Sequence, residues 1–195
     1  MYKNSAAPTR LWYLQALLGS CTLLQKTLKL KVRVLTQEEK DLAKQVFHES
    51  LDISKIRITT VSGYQNRAFT VFGWKNTYCH MGRSFTNPKN ATTSAYPEPG
   101  QLLIHELTHA WQIQHASSKI KLSLKAVVTQ IKYCFGQNVY DYQNELYSWE
   151  KFNTEQQATI VDRWFAGISS APTYQKCDET NPYFCYIQKN IRPAS

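Results

Sequence analysis

The chain has 195 residues, 43% of them apolar and 13% aromatic, with only 7 Gly and 7 Pro. That supply of large side chains excludes a wholly disordered or collagen-like chain and suits one compact domain, with or without a tail. The formal net charge is +9, yet Lys3, Arg10, Lys26, Lys29, Lys31 and Arg33 lie in the first 33 residues, where there is no acid. Basicity confined to one end, without a base-reading motif, is not the pattern of a dedicated nucleic-acid binder, so no nucleic-acid partner is expected.

The N-terminus supports two readings. Lys3 and Arg10 precede the apolar stretch Leu11 to Leu18, which Gln15 interrupts and which falls well short of the roughly 20 residues of a membrane-spanning helix. Leu18-Gly19-Ser20-Cys21 has the small residues before Cys of a bacterial lipoprotein signal, which would attach the chain to the envelope membrane through Cys21. Alternatively, an amphipathic helix continues through Leu23, Leu24 and Leu28 and packs on a cytoplasmic domain, the reading that Gln15 favours. In either case the basic segment could also lie on an anionic membrane surface. The five cysteines, Cys21, Cys79, Cys134, Cys177 and Cys185, show no paired CxxC spacing, against a cysteine-ligated zinc site. Cys177 and Cys185 are close enough to pair only in an oxidising compartment.

Further along, Thr36-Gln37-Glu38-Glu39 fits a capping box, and Leu42, Ala43, Val46 and Phe47 follow at helical spacing, which predicts a helix over 37–50. Three β-prone pieces, 56–61, 68–72 and 76–81, are separated by Ser62-Gly63 and Gly73 and predict a small, largely antiparallel sheet. Residues 84–100 are polar, contain Pro88, Pro97, Pro99 and Gly100, and read as a long loop. From 101 to 117 there is no breaker, and the segment is apolar nearly all round, as in a buried central helix. Helices are also expected over 120–134 and 154–167, joined by a Tyr-rich stretch over 139–149. The organisation is then a basic extension over 1–34, an α+β domain over 35–168 and a C-terminal tail over 169–195.

Inside the central helix stands His105-Glu106-Leu107-Thr108-His109, an HExxH pattern. With the His and Glu content of this chain, a chance match anywhere has a probability of roughly 0.6%, so the match is informative. Residues four apart on a helix lie about 40° apart in azimuth and about 6 Å apart along the axis, so both imidazoles can converge on one tetrahedral metal ion. Glu106 is placed to reach a water at that ion rather than the ion itself. A charged Glu in an apolar helix is unfavourable unless it is paired, which a site would explain.

Zinc needs a third protein ligand, for which two residues compete. His115 has the spacing of HExxHxxGxxH, but the turn-forming Gly is replaced by Gln112, and no Met follows Met81 to make a methionine turn. Without the turn, a helix carries His115 about 9 Å beyond His109. Glu155 is the better candidate: Asn153 or Thr154 caps a helix that presents it in the first turn, and His-His-Glu from two helices is the gluzincin arrangement. Tyr140, Tyr142 and His115 are all candidates to stabilise an oxyanion, and the sequence does not choose among them.

Together, Leu35-Thr36 with Glu39, Ala43, Val46-Phe47, Asp52 and Ile56-Arg57, then His105 to Gln112, Val139-Tyr140-Asp141-Tyr142, and Asn153 to Ala158 with Ile160-Val161 resemble the bacterial Vgr-related, or Rhs-element Vgr, proteins. These belong with the zincin-like core domain of contractile injection systems. The resemblance covers about residues 35 to 165. It implies a zincin-like fold and a small zinc metallopeptidase acting on a peptide or protein substrate. It also implies a link to type VI secretion or related machinery, export by which would be a third localisation, and Glu155 as third zinc ligand. Glu106 would be the general base, with His105 and His109 the other ligands. The rival is a non-catalytic, zinc-stabilised adaptor of the secretion apparatus. Two positions depart from the pattern: the glycine after Val-Phe is His48, and the acid expected four residues after Glu155 is Thr159, leaving Asp162 or Asp141 as substitutes to orient a histidine.

Overall fold

A computed structural model describes residues 30–118, 148–168 and 174–192. The predicted N-terminal helix with Cys21, the helix over 120–134 with Cys134, and Tyr140, Asp141 and Tyr142 lie outside the described residues. The chain divides into Met1–Lys31 and a unit Val32–Ser195, to which all that follows belongs.

That unit opens on β1 (Val32–Arg33) and α1 (Gln37–Phe47). The capping box is made as the sequence predicts. Thr36 Oγ1 accepts from the Glu39 amide at 3.3 Å, and the Glu39 carboxylate accepts from the Thr36 amide at 2.8 Å. Arg33 completes the arrangement with a two-pronged contact to Glu39 at 2.7 and 2.8 Å and a bond to the Phe85 carbonyl, tying β1 to the head of α1. Burial alone would raise the Glu39 carboxyl, but Arg33 and Thr36 outweigh it and hold it below the ordinary carboxylate range.

The three β-prone pieces become β2 (Ile56–Thr59), β3 (Phe69–Phe72) and β4 (Thr77–His80). The sheet order is β1-β2-β4-β3, with β1 antiparallel to β2, β3 antiparallel to β4, and β2 parallel to β4. The sheet is therefore mixed, a correction to the largely antiparallel expectation. The connection over 60–68 is long enough to carry the chain past the position of β4, so that the β3–β4 hairpin folds back with β4 innermost. Ile56, Ile58, Thr77 and Cys79 turn to the core, as the period of two requires.

The long loop contains two 3-10 turns, Gly82–Thr86 and Pro88–Asn90, and ends at Gly100, with φ 86°. A Cβ there would lie 3.0 Å from Leu42 and 3.2 Å from Phe165, so only glycine lets the chain enter α2 (Gln101–His115) between those side chains. The predicted buried helix is α2, with Leu103, Ile104, Leu107 and Ala110 fully buried. Its main helical neighbour is α3 (Thr154–Ala166), capped by Asn153 through a second capping box. Val161, Trp164 and Phe165 of α3 join Val46 and Phe47 of α1 in one core. A short helical turn, Phe184–Tyr186, runs into a π-type turn, Ile187–Ile191, and Ile187 and Ile191 are fully buried in that core. Cys79, Cys177 and Cys185 are free thiols, so the pairing of Cys177 with Cys185 is not made. Among the described residues no helix is long and apolar enough to cross a membrane.

α1 stops earlier than predicted. His48, at φ 50° and ψ −127°, ends it in a backbone region that suits glycine, while its amide still bonds to the Lys44 carbonyl at 3.0 Å. A side chain in such a region is strained by about 1–3 kcal/mol. His48→Gly is therefore expected to raise stability by about 1 kcal/mol, after allowing for glycine's freer unfolded chain. Chemical denaturation checks this, and a loss of stability would contradict the strain.

Candidate metal centre

The site is assembled where α2 meets α3 in antiparallel fashion. On a helix with 3.6 residues per turn, Gln101, His105, His109 and Gln112 fall within about 80° of arc, while Glu106 lies about 60° beyond His109. The first four make one polar stripe facing α3. Glu106 faces the sheet.

Three groups converge from that stripe and from the first turn of α3. His105 Nε2 and His109 Nε2 lie 3.2 Å apart, and Glu155 Oε2 is 3.4 Å from the first and 3.5 Å from the second. His105 and Glu155 are buried and His109 is nearly so. With one donor atom from each residue, this group could hold a metal ion. His115 is not part of it. α2 continues as an unbroken helix to His115, whose Nδ1 donates to the Trp111 carbonyl at 2.9 Å while its ring stacks on Trp111.

Each imidazole is held from behind. His105 Nδ1 meets Asp162 Oδ2 at 2.7 Å, and the other Asp162 oxygen accepts from Gln101 Nε2 at 2.8 Å. Asp162 stands seven residues after Glu155 and thus on the same face of α3, so it takes the place that Thr159 leaves open. His109 Nδ1 meets Gln112 Oε1 at 2.9 Å. Tyr96, delivered by the long loop, packs edge-on against His105 with ring centroids 5.1 Å apart.

Glu106 is anchored elsewhere. Thr70 of β3 donates its hydroxyl to Glu106 Oε2 at 2.7 Å, with the Glu106 carbonyl a second acceptor at 3.1 Å. Burial raises the Glu106 carboxyl, and the histidines and Thr70 only partly offset this, leaving it above its ordinary value. Burial would likewise lower His105, but Asp162 and then Glu155 prevail and its imidazole is pushed up to about 10. His109 is raised as well, chiefly by Glu155 acting against burial. Glu155 is held well below the carboxylate range because the two histidines outweigh its burial.

Of the residues the sequence pointed to, the structure brings His105, His109 and Glu155 together, sets Glu106 against Thr70, and places Asp162, one of two offered substitutes, against His105. Sequence reasoning did not single out Gln101, or Gln112 as a partner of His109, though helical spacing alone places both on the histidine face. Thr70 and Tyr96 carry no such signal, since they arrive from the sheet and the loop.

The chain is 29% identical over 136 residues to the type VI secretion system spike protein VgrG2b of Pseudomonas aeruginosa, a match that covers 68% of this chain and 13% of that protein. The chain thus spans about an eighth of the length of the curated relative it matches. No family model matches the chain. No solved structure matches it either. The similarity supports a link to Vgr-related secretion proteins.

Asp162→Asn tests the support of His105. The Glu98 amide donates to Gln101 Oε1 at 3.3 Å, so Gln101 presents its NH₂ to position 162. The Asn oxygen would accept from it and turn the Asn NH₂ toward His105, forcing the imidazole hydrogen onto Nε2, the atom a cation needs. Metal affinity is expected to fall about 10- to 100-fold with little loss of fold, measured by competition with a chelating dye. Unchanged affinity would remove Asp162 from the site. A proton on His105 competes with a cation for the same nitrogen, so affinity should also rise with pH up to about 10, where His105 gives up its proton. The same dye titration across pH checks this, and an affinity that falls with pH would contradict it.

Proposed function

We propose that this chain is a zinc-dependent metallopeptidase with a zincin-like, gluzincin-type centre, associated with type VI secretion or related injection machinery. The convergence of His105, His109 and Glu155 beside Glu106 carries this reading. Donors about 2.0–2.1 Å from a tetrahedral ion lie about 3.3 Å from one another, and the three distances here are 3.2, 3.4 and 3.5 Å. Two imidazoles and a carboxylate are also the chemistry of a zinc site rather than of a magnesium or calcium site. The link to secretion rests on the partial similarity to VgrG2b.

Zinc at this position would supply Lewis acidity, polarising a scissile carbonyl and making water acidic near neutral pH. Glu106 supplies the proton transfer: its carboxylate takes a proton from the attacking water and returns it to the departing amine nitrogen. Thr70 holds that carboxylate on the side away from Glu155 and Asp162, so it does not compete as a ligand. A peptide substrate is supported by β3, an edge strand of the sheet whose outer side is unpaired among the described residues and whose Thr70 touches Glu106. An extended peptide can pair with such an edge through its backbone.

The decisive experiment combines metal analysis with cleavage of a peptide library. One zinc per chain is expected, retained in Glu106→Gln with hydrolysis lost, and absent when His105 and His109 are both replaced by Ala. Glu155→Ala should weaken zinc binding strongly, and His115→Ala should leave it nearly intact. Zinc binding without cleavage of any peptide, unaffected by Glu106→Gln, would favour the non-catalytic adaptor in which zinc contributes only folding energy.

A further inference from the structure

Gln112 is buried in the last turn of α2, and none of the chemistry above uses its full set of bonds. Its Oε1 faces His109 Nδ1 at 2.9 Å, and its Nε2 donates to the Thr154 carbonyl at 2.9 Å and to Gln157 Oε1 at 3.0 Å. A backbone carbonyl can only accept, so Thr154 decides which end of the Gln112 amide carries hydrogens. Gln157 agrees with that choice, because its own Nε2 donates to the Trp149 carbonyl at 3.0 Å and leaves Oε1 toward Gln112. The Gln112 oxygen must then face His109, and an amide oxygen can only accept. His109 Nδ1 therefore carries a hydrogen, and in the neutral ring the lone pair lies on Nε2, the atom beside His105 and Glu155.

We propose that Gln112 is a positioning residue serving two ligands: it fixes His109 with its ligating nitrogen free, and through Thr154 it holds the turn of α3 that presents Glu155. This inference rests on the metal-site reading. A role in helix packing alone would need a side chain of this volume but no acceptor toward His109. Substitution by an isosteric apolar residue would leave His109 Nδ1, the Thr154 carbonyl and Gln157 Oε1 short of a partner.

Full-length protein loaded with zinc and labelled with ¹⁵N tests this, with imidazole N–H resonances read by NMR and zinc affinity by competition with a chelating dye. The wild type should show slowly exchanging Nδ1–H signals from both His105 and His109. Gln112→Met should lose the His109 signal, keep that of His105, and weaken zinc binding about 10- to 100-fold. Gln112→Glu keeps an acceptor for His109 but loses the donor toward Thr154 and Gln157, so it should restore the His109 signal while zinc binding stays weakened, and it decides the matter if the Met variant does not fold. Both signals intact in Gln112→Met with undiminished affinity, or a Glu variant that loses the His109 signal as the Met variant does, would overturn the positioning role. A wild type that takes up no zinc would instead overturn the metal reading, and this inference with it.

Discussion

The structure depends on how α2 is docked against α3. Two apolar helices could slide or rotate with little penalty, because apolar contact is not directional. Here the contact is pinned by polar bonds near both ends. Gln101 and His105 bind the two oxygens of Asp162, and Gln112 binds the Thr154 carbonyl and Gln157. Buried bonds of this kind are directional and unfavourable to leave unmade, so they fix both the spacing and the rotation of the pair. The same bonds hold the two imidazoles, and the helix register that satisfies them is also the one that brings Glu155 within 3.5 Å of both Nε2 atoms. Packing and site are one arrangement.

The electrostatics of the cluster follow from burial. Isolated, a buried carboxylate or imidazolium is strongly disfavoured, and here Glu155, Asp162, His105 and His109 are tolerable because each charge faces an opposite one. The shifts run accordingly, Glu155 down and both histidines up, each against the direction burial alone would impose. A cation among these donors would replace protons as the source of positive charge. Its binding would then also strengthen the α2–α3 contact, since the ligands come from both helices.

Much of this was legible in the sequence because it is local. Capping boxes need only residues three apart, so the starts of α1 and α3 were readable from Thr36 with Glu39 and from the Asn153 region. The i, i+4 spacing of His105 and His109 is equally local. The end of α1 was harder: Phe47 to Ser50 contains no helix breaker, and His48 adopts a backbone conformation that its residue type does not announce. Strand order is a non-local property, and no feature of residues 60–81 says that β4 rather than β3 will lie beside β2. Thr70 is hidden for the same reason, since it lies 36 residues from the carboxylate it touches. Asp162 lies between these cases: its spacing from Glu155 places it on the right face, but only the packing of α3 on α2 brings it to His105.

The position of Glu106 connects the fold to chemistry. Of the three carboxylates at the site, Glu155 and Asp162 come from α3 and are engaged with histidines, whereas Glu106 comes from α2 and is held by a hydroxyl of the sheet. A carboxylate bonded to a neutral donor keeps its second oxygen available, and one engaged with an imidazole has its charge already answered. α2 lies between sheet and α3 and sorts the two roles by azimuth: residues toward α3 form the donor set, and the residue about 60° beyond His109 faces β3. A peptide paired along β3 would therefore meet Glu106 and the donor set side by side, on adjacent faces of one rigid helix. In the proposed reaction, proton transfer and carbonyl polarisation would have to act on neighbouring atoms of one bond, and a single helix presenting both groups would hold them at a fixed separation.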